Sequence, residues 1–295
     1  MTKLSVIIPL YNGRSVIGPC LDSLVRERAS VEMELVVIDD ASPDGAGEFV
    51  REHYEEVVLL SNDHNEGYAA SVNRGIETSG GEYLLLLNQD TELKENTIGT
   101  LLSCLQKDDS VVAAAPQLLS PDGSVQHSCR MLPRHSDIVW HHLLLSYIFP
   151  RSRTFSRWKM GWFDHRSEQM VEQPAFSAIM ICRSVIDEVG PIDERFKIYF
   201  NDVDYCKRIH DSGGRILFCP AASVVHHHGQ ATKTIPFARI VHSHSGAVKY
   251  FFKHYGSLLY IIPNLIVTLL LLASGLVRLS MTAIRKVITS KGSSS

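Results

Sequence analysis

Short apolar runs alternate with amphipathic stretches through the first third of the chain. Residues 4–9 read as a buried strand, stopped by Pro9 and the turn formers Asn12 and Gly13. An amphipathic helix is predicted over 15–28, then strand 34–38, helix 44–53 and strand 57–60. Ala69, Ala70, Val72 and Ile76 recur at helical spacing within 67–78. Strand 83–87, helix 94–106 and a short strand at 111–115 complete the series. Strands that alternate with helices imply a mostly parallel α/β sheet covered on both faces.

The rhythm breaks after residue 120. Residues 120–172 read as irregular, with Pro121, Pro133, Pro150 and the tryptophans Trp140, Trp158 and Trp162. A long segment of that kind inside a compact domain is usually functional or mobile. Regular patterns return as strand 175–181, a helix from 202 to 212 ended by Gly213-Gly214, and short strands at 216–218 and 223–226. Residues 257–277 then carry no formal charge, and basic residues stand on both sides: Lys249 and Lys253 before, Arg278, Arg285 and Lys286 after. That length favours membrane contact, as a span or an interfacial helix, over a buried core helix. The expected organisation is a domain over 1–230 (a nucleotide-binding half, 1–118, and an acceptor and catalytic half, 119–230) and a helical, membrane-associating region over 231–295.

Composition changes this picture little. A net charge of −3 provides no global basic field, so nucleic acid is not an expected partner. The six cysteines are scattered without a C-x-x-C pair, which predicts buried free thiols in a reducing compartment. No charged-then-apolar leader precedes the first strand, so a cytosolic catalytic part is expected.

The chemistry concentrates where apolar runs end in acid. In open α/β sheets, ligands bind beyond the carboxyl ends of the strands. The second strand runs into Asp39-Asp40, and the fourth into Asn88-Gln89-Asp90. A carboxylate at the first can accept from a ribose hydroxyl or a base N–H, and a turn would use the same residues. A carboxylate at the second can hold a divalent metal against a diphosphate, as oxygen ligands favour Mg²⁺ or Mn²⁺. Asn65 and Gly67 precede a helix start, where free N–H groups face a phosphate. Asp202 and Asp204 lie two apart on a helix, so one can face a reaction centre while the other serves structure. His226 and His228 share one strand face, and neutral imidazole is a common metal ligand.

The ordered set Ser5-Val-Ile-Ile-Pro-Leu-Tyr-Asn, Val37-Ile-Asp-Asp-Ala-Ser, Asn65-x-Gly, Leu87-Asn-Gln-Asp, Tyr199-Phe-Asn-Asp-Val-Asp-Tyr and Pro220-Ala-Ala-Ser-Val-Val-His resembles the family 2 inverting glycosyltransferases of the GT-A fold. It looks closest to the rhamnosyltransferase-like branch that builds bacterial cell-surface polysaccharides. The resemblance implies a nucleotide-diphosphate sugar donor (dTDP or UDP), a divalent metal, Mg²⁺ or Mn²⁺, and one direct displacement with inversion. It implies donor contacts at Pro9, Tyr11, Asn12, Asp39, Asp40, Asn65, Gly67, Asn73 and Asn88, with Asp40 on the base. It assigns metal binding to Asp90 and His226 and the general base to Asp202. Two positions depart from the pattern: Asn88 replaces the first acid of D-x-D, and Asn201 replaces a Glu before the base.

The processive relatives carry Q-x-x-R-W, whereas Arg157-Trp158 lacks that Gln, which favours single-sugar transfer. The aromatic segment and the apolar C-terminal stretch then imply a lipid-linked glycan acceptor at the cytoplasmic face of a membrane. A nucleotidyltransferase is the competing enzyme, but the loop after the first strand is poor in Gly and basic residues, and there is no P-loop. A catalytically inactive nucleotide-sugar-binding module is the other alternative, given Asn88 and Asn201.

Overall fold

The computed structural model describes residues 4–28, 31–227 and 236–292. The first half is a run of strand–helix units: β1 (Leu4–Leu10), α1 (Ile17–Glu27), β2 (Met33–Asp39), α2 (Ala46–His53), β3 (Val57–Ser61), α3 (Tyr68–Thr78) and β4 (Tyr83–Leu87). After β4 come β5 (Thr91–Leu93), α4 (Thr97–Leu105) and β6 (Val111–Leu119). The stretch expected to be irregular holds β7 (Val125–Gln126), β8 (Cys129–Arg130), α5 (His135–His142), α6 (Leu145–Ile148) and β9 (Gln169–Val171). Next are β10 (Gln173–Pro174), β11 (Ala178–Cys182), α7 (Arg183–Val189), α8 (Asn201–Asp211) and β12 (Arg215–His226). The two strands expected at 216–218 and 223–226 are one, with an irregular register between Cys219 and Ser223. Two long helices close the chain: α9 (Pro236–His254) and α10 (Ile261–Gly292). The domain boundary expected near 230 and the side chain of His228 lie outside the described residues.

The main sheet runs β3-β2-β1-β4-β11-β6-β12-β5, with β7 on β6 and β9 on β12. Strands β1, β2, β3, β4, β6 and β12 point the same way, while β11 enters antiparallel between β4 and β6. Both faces of the sheet are covered, which explains the unbroken apolar runs. Val6 and Ile8 pack with Leu21 and Leu24 of α1 on one side, and Ile7 and Leu86 pack with Val72 and Ile76 of α3 on the other. A third cluster joins Ile138, Phe200 and Val203 to Tyr250 and Phe251 of α9 and Val267 and Leu271 of α10.

Three expectations need correction. Lys249 and Lys253 do not simply flank an apolar stretch: both lie in α9, where Lys253 pairs with Asp193 at 2.7 Å and Asp204 at 2.7 Å. Cys104 of α4 and Cys219 of β12 are joined as a disulfide, because α4 packs across β12; Cys20, Cys129, Cys182 and Cys206 are free thiols. Helix α7 stands where no helix is predicted, while α9 falls within the region expected to be helical, with Ile240, Ala247, Tyr250 and Phe251 at helical spacing.

Candidate active site

The first-strand loop is clamped to the fourth-strand loop by one side chain. Gln89 accepts the Tyr11 N–H at 2.7 Å and donates to the Tyr11 carbonyl at 2.9 Å. This pair of hydrogen bonds ties the loop that follows β1, with Tyr11 and Asn12, to the Asn88-Gln89-Asp90 loop that follows β4. Pro9, opposite Ile38 in the β1–β2 ladder, stands at the same edge. Asp39 accepts the Ser42 N–H at 3.1 Å, and its carboxylate lies against the start of α2. A Cβ on Gly47 would collide with that carboxylate, so only glycine lets α2 approach so closely.

Asp40 is more deeply engaged than expected. It is buried and accepts from Asn62 Nδ2 at 2.8 Å, the Glu66 N–H at 2.8 Å and the Gly67 N–H at 2.9 Å. Most of a carboxylate's roughly four acceptor positions are thus used to shape the loop before α3. Gly67 has φ +95° at the cap of α3, a backbone conformation that L side chains rarely adopt. Asn65 is exposed on this loop. Asn73 is revised more strongly: it is buried, bonds both ways to the Ile192 backbone at 2.8 and 2.9 Å, and donates to Glu194 at 3.1 Å. Its amide secures α3 to the 190–195 turn rather than facing a ligand.

Asp90 and His226 meet because β5 turns back antiparallel on β12, which puts His226 opposite Thr91. The His226 Nε2 lies 3.5 Å from Asp90 Oδ1, and both residues are buried. The His227 N–H also donates to the Asp90 carbonyl at 2.9 Å, while its ring turns away to Glu92 at 2.6 Å. Gln126 of β7 touches the other side of the His226 ring. Its Nε2 donates to the His226 carbonyl at 2.8 Å and the Leu119 carbonyl at 3.3 Å, so its oxygen is the atom 3.0 Å from Nδ1. An acceptor there requires the proton on Nδ1 and leaves the lone pair on Nε2, the side of Asp90. A carboxylate oxygen beside a basic imidazole nitrogen, oriented by an outer amide, fits a divalent cation whose remaining ligands come from a diphosphate.

Asp202 begins α8. Gln173 of β10 donates to its Oδ2 at 2.8 Å, and the Val203 N–H bonds its Oδ1 at 2.9 Å. The neighbouring Asn201 is buried and its amide oxygen accepts the Asp202 N–H at 2.7 Å. Burial pushes the Asp202 carboxyl up to about 6, against the opposing pull of the Val203 N–H and the Arg130 charge. Arg130 itself pairs its strand with β10, and its guanidinium stands 5.8 Å from the Trp158 ring. Among the described residues Asp202 makes no ion pair with Lys or Arg within 4.0 Å. Asp204 faces the other way, into Arg208, Lys253 and His254.

Residues 173–178 connect the two centres. Asp202 is bonded to Gln173, the Phe176 carbonyl accepts from the Tyr68 hydroxyl at 3.3 Å, and the Ser177 carbonyl accepts the Asn88 N–H at 2.9 Å. Asp202 and the Asn88 that precedes Asp90 by two residues are thus both tied to one short segment. Gln126, Gln173 and Arg130 carried no local signal in the sequence, because each matters only through a partner at least 29 positions away.

The sequence profile of glycosyl transferase family 2 matches residues 5–159, just over half of the chain. The chain belongs to glycosyl transferase family 2. An N-acetylglucosaminyl-diphospho-decaprenol L-rhamnosyltransferase of Mycobacterium tuberculosis is 28% identical over 226 residues, covering 71% of this chain and 70% of the relative. The O-antigen biosynthesis protein RfbC of Myxococcus xanthus is 26% identical over 78% of this chain and 18% of its own length. Among solved structures, the mannosyltransferase PcManGT of Pyrobaculum calidifontis, in complex with GDP-Man and Mn²⁺, superposes with a TM-score of 0.58 at 17% identity, over 99% of this chain and 79% of that one. TarS of S. aureus, residues 1–349 with UDP, reaches 0.53 at 16% identity over 85% of this chain and 66% of that one. This family 2 glycosyltransferase thus has the GT-A fold, and the expectation of an α/β transferase is met.

Proposed function

We propose that this glycosyltransferase moves one sugar, with inversion, from a dTDP- or UDP-sugar to a lipid-linked glycan acceptor at the cytoplasmic face of a membrane. A rhamnosyl donor is favoured by the name of the mycobacterial relative, which pairs a rhamnosyl group with a diphospho-decaprenol acceptor. What supports the reading is the Asp90–His226 pair at 3.5 Å and the link of Asp202, through residues 173–178, to the Asn88 backbone beside it.

In this reading residues 1–118 hold the donor, 119–230 the acceptor, and 231–295 the membrane. Pro9, Tyr11, Asn12, Asp39, Asn65, Gly67 and Asn88 line the donor groove, and Asp40 shapes the groove with one acceptor position left for a base N–H. Asp90 and His226 would hold Mg²⁺ or Mn²⁺, which when bound neutralises the departing diphosphate. Asp202 accepts the proton of the acceptor hydroxyl as that oxygen attacks the anomeric carbon from the face opposite the diphosphate. Gln173 fixes the Asp202 carboxylate by its bond to Oδ2, leaving the group aimed by a neutral donor. A base whose proton affinity is raised by burial is better matched to an alcohol than an ordinary surface Asp. The neutral Asn201 adds no second charge next to it.

Incubation with dTDP- and UDP-sugars, with and without Mn²⁺, tests this. A rise in melting temperature with one donor class, and slow release of its nucleoside diphosphate, is expected. Release of pyrophosphate from a nucleoside triphosphate instead would overturn the reading.

A further inference from the structure

Helix α10 combines two incompatible-looking properties. The stretch from Leu258 to Ala283 is long and apolar enough to cross a bilayer, with a mean hydropathy of 2.1. Yet one stripe of it is sewn to the folded domain. Asn264 is buried, donates to the Tyr255 carbonyl at 2.8 Å and meets His135 at 2.7 Å. Val267 and Leu271 are buried in the third core cluster, and Ser274 bonds His244 at 3.1 Å. These positions follow helical spacing for about 10 residues, or about 15 Å of axis. A helix crossing the bilayer would carry this stripe, and the polar side chains bonded to it, into hydrocarbon, where each unsatisfied polar group is costly. The opposite stripe is bare, with Leu269 and Leu276 each 66% exposed.

A second apolar protrusion stands beside it. The turn from α5 into α6 exposes Leu143, Leu144, Tyr147 and Ile148, the last at 63%. It lies next to the middle of α10: the His142 ring is 6.4 Å from that of His244, which bonds Ser274. Burial holds down protonation of His141 and His142; next to it comes the Lys159 charge at His141 and the Arg278 charge at His142. Cations rim the protrusion. Lys159 sits 3.5 Å over the Tyr147 ring, and the exposed Arg151 and Arg153 follow α6 directly.

We infer that α10 lies in the membrane interface rather than across it, and that the α5–α6 turn is a second anchor, the two binding together to a bilayer of anionic lipid. An apolar body with a basic rim is the pattern of an interfacial anchor, and attraction to anionic headgroups adds to the buried apolar area. The inference rests on the membrane contact proposed above and adds its geometry. Two anchors on one side of the domain would hold the sheet edge at a constant height above the lipid.

The test uses the full chain and sedimentation with vesicles, either phosphatidylcholine alone or phosphatidylcholine with phosphatidylglycerol. Binding at least tenfold stronger to the anionic vesicles, released by alkaline carbonate, is expected. The double variant Leu144→Glu/Ile148→Glu should weaken that binding about tenfold with an unchanged melting temperature, since both side chains are exposed. Leu269→Glu/Leu276→Glu should weaken it by at least as much. Carbonate-resistant retention would overturn the interfacial helix while leaving membrane contact intact, and unchanged binding of the turn variant would overturn the second anchor. No binding to either vesicle, with a dimer that the α10 variant dissociates, would overturn the membrane contact itself and assign the bare stripe to a second copy of the chain.

Discussion

The two sides of α8 place carboxylates two residues apart in opposite surroundings. Asp204 is fully buried, yet its carboxyl is held below the usual range, because His254, Lys253 and Arg208 outweigh the effect of burial. Asp202 receives only a neutral amide and a backbone N–H, with Arg130 acting from farther away, and it is pushed up to about 6. Burial alone therefore does not decide which acid can act as a base. The decisive factor is the charge that the neighbouring elements bring: α9 turns its cations to Asp204, while β10 turns a glutamine to Asp202.

The sharpest way to break this comparison is Asp202→Asn. Removal of a general base should lower transfer by about 10³-fold while donor binding is retained. The same change should raise the melting temperature at pH 8. The folded protein holds the Asp202 proton more tightly than the unfolded chain does, so stability at this site is lost as pH rises from about 4 to about 6. Asparagine escapes that loss, of about 3 kcal/mol. A variant with both normal turnover and unchanged stability would remove Asp202 from its role.

Asp204→Asn should do the reverse. Breaking a buried charge cluster typically costs about 3–5 kcal/mol, readable as a lower urea midpoint. Next in size is the pH profile. With a base titrating at about 6, the rate should fall about tenfold from its plateau on going to pH 5, and the ascending limb should disappear in Asp202→Asn. An ascending limb near pH 4 would place the base elsewhere.

The smallest expected effect sharpens the other side of the cleft. Gln126→Leu removes the acceptor that keeps the proton of His226 on Nδ1. Outer-shell losses of this kind cost about 10-fold or more in metal affinity, measurable by Mn²⁺ electron paramagnetic resonance with a nucleoside diphosphate present. His226→Ala should weaken Mn²⁺ binding further. If His226→Ala has an effect and Gln126→Leu has none, the amide does not set the tautomer.

Much of this was visible along the chain. Each unit from β1 to β4 was legible, since a strand covered on both faces is an apolar run and each helix repeats its buried positions at helical spacing. The acids at the strand ends stood out for the same reason: polarity begins where burial stops. The 120–172 stretch looks irregular in sequence because its strands are two or three residues long, too short to show a period. Asn73 departs from the expected donor set: its buried amide serves the Ile192 backbone, a partner 119 positions away.

The sequence by itself determined the α/β alternation, the acids beyond β2 and β4, the acid pair on α8 and the apolar length of α10, because local hydrophobic period and chain punctuation are sufficient to specify them. Only the tertiary structure decided that β11 enters antiparallel beside β4, that β5 folds onto β12 to bring His226 to Asp90, that Asp204 rather than Asp202 receives the cations, and that one stripe of α10 is bonded to the domain. These are pairings between distant segments, selected by which packed arrangement buries the most apolar surface while leaving the fewest polar groups without partners, and no local pattern encodes that choice.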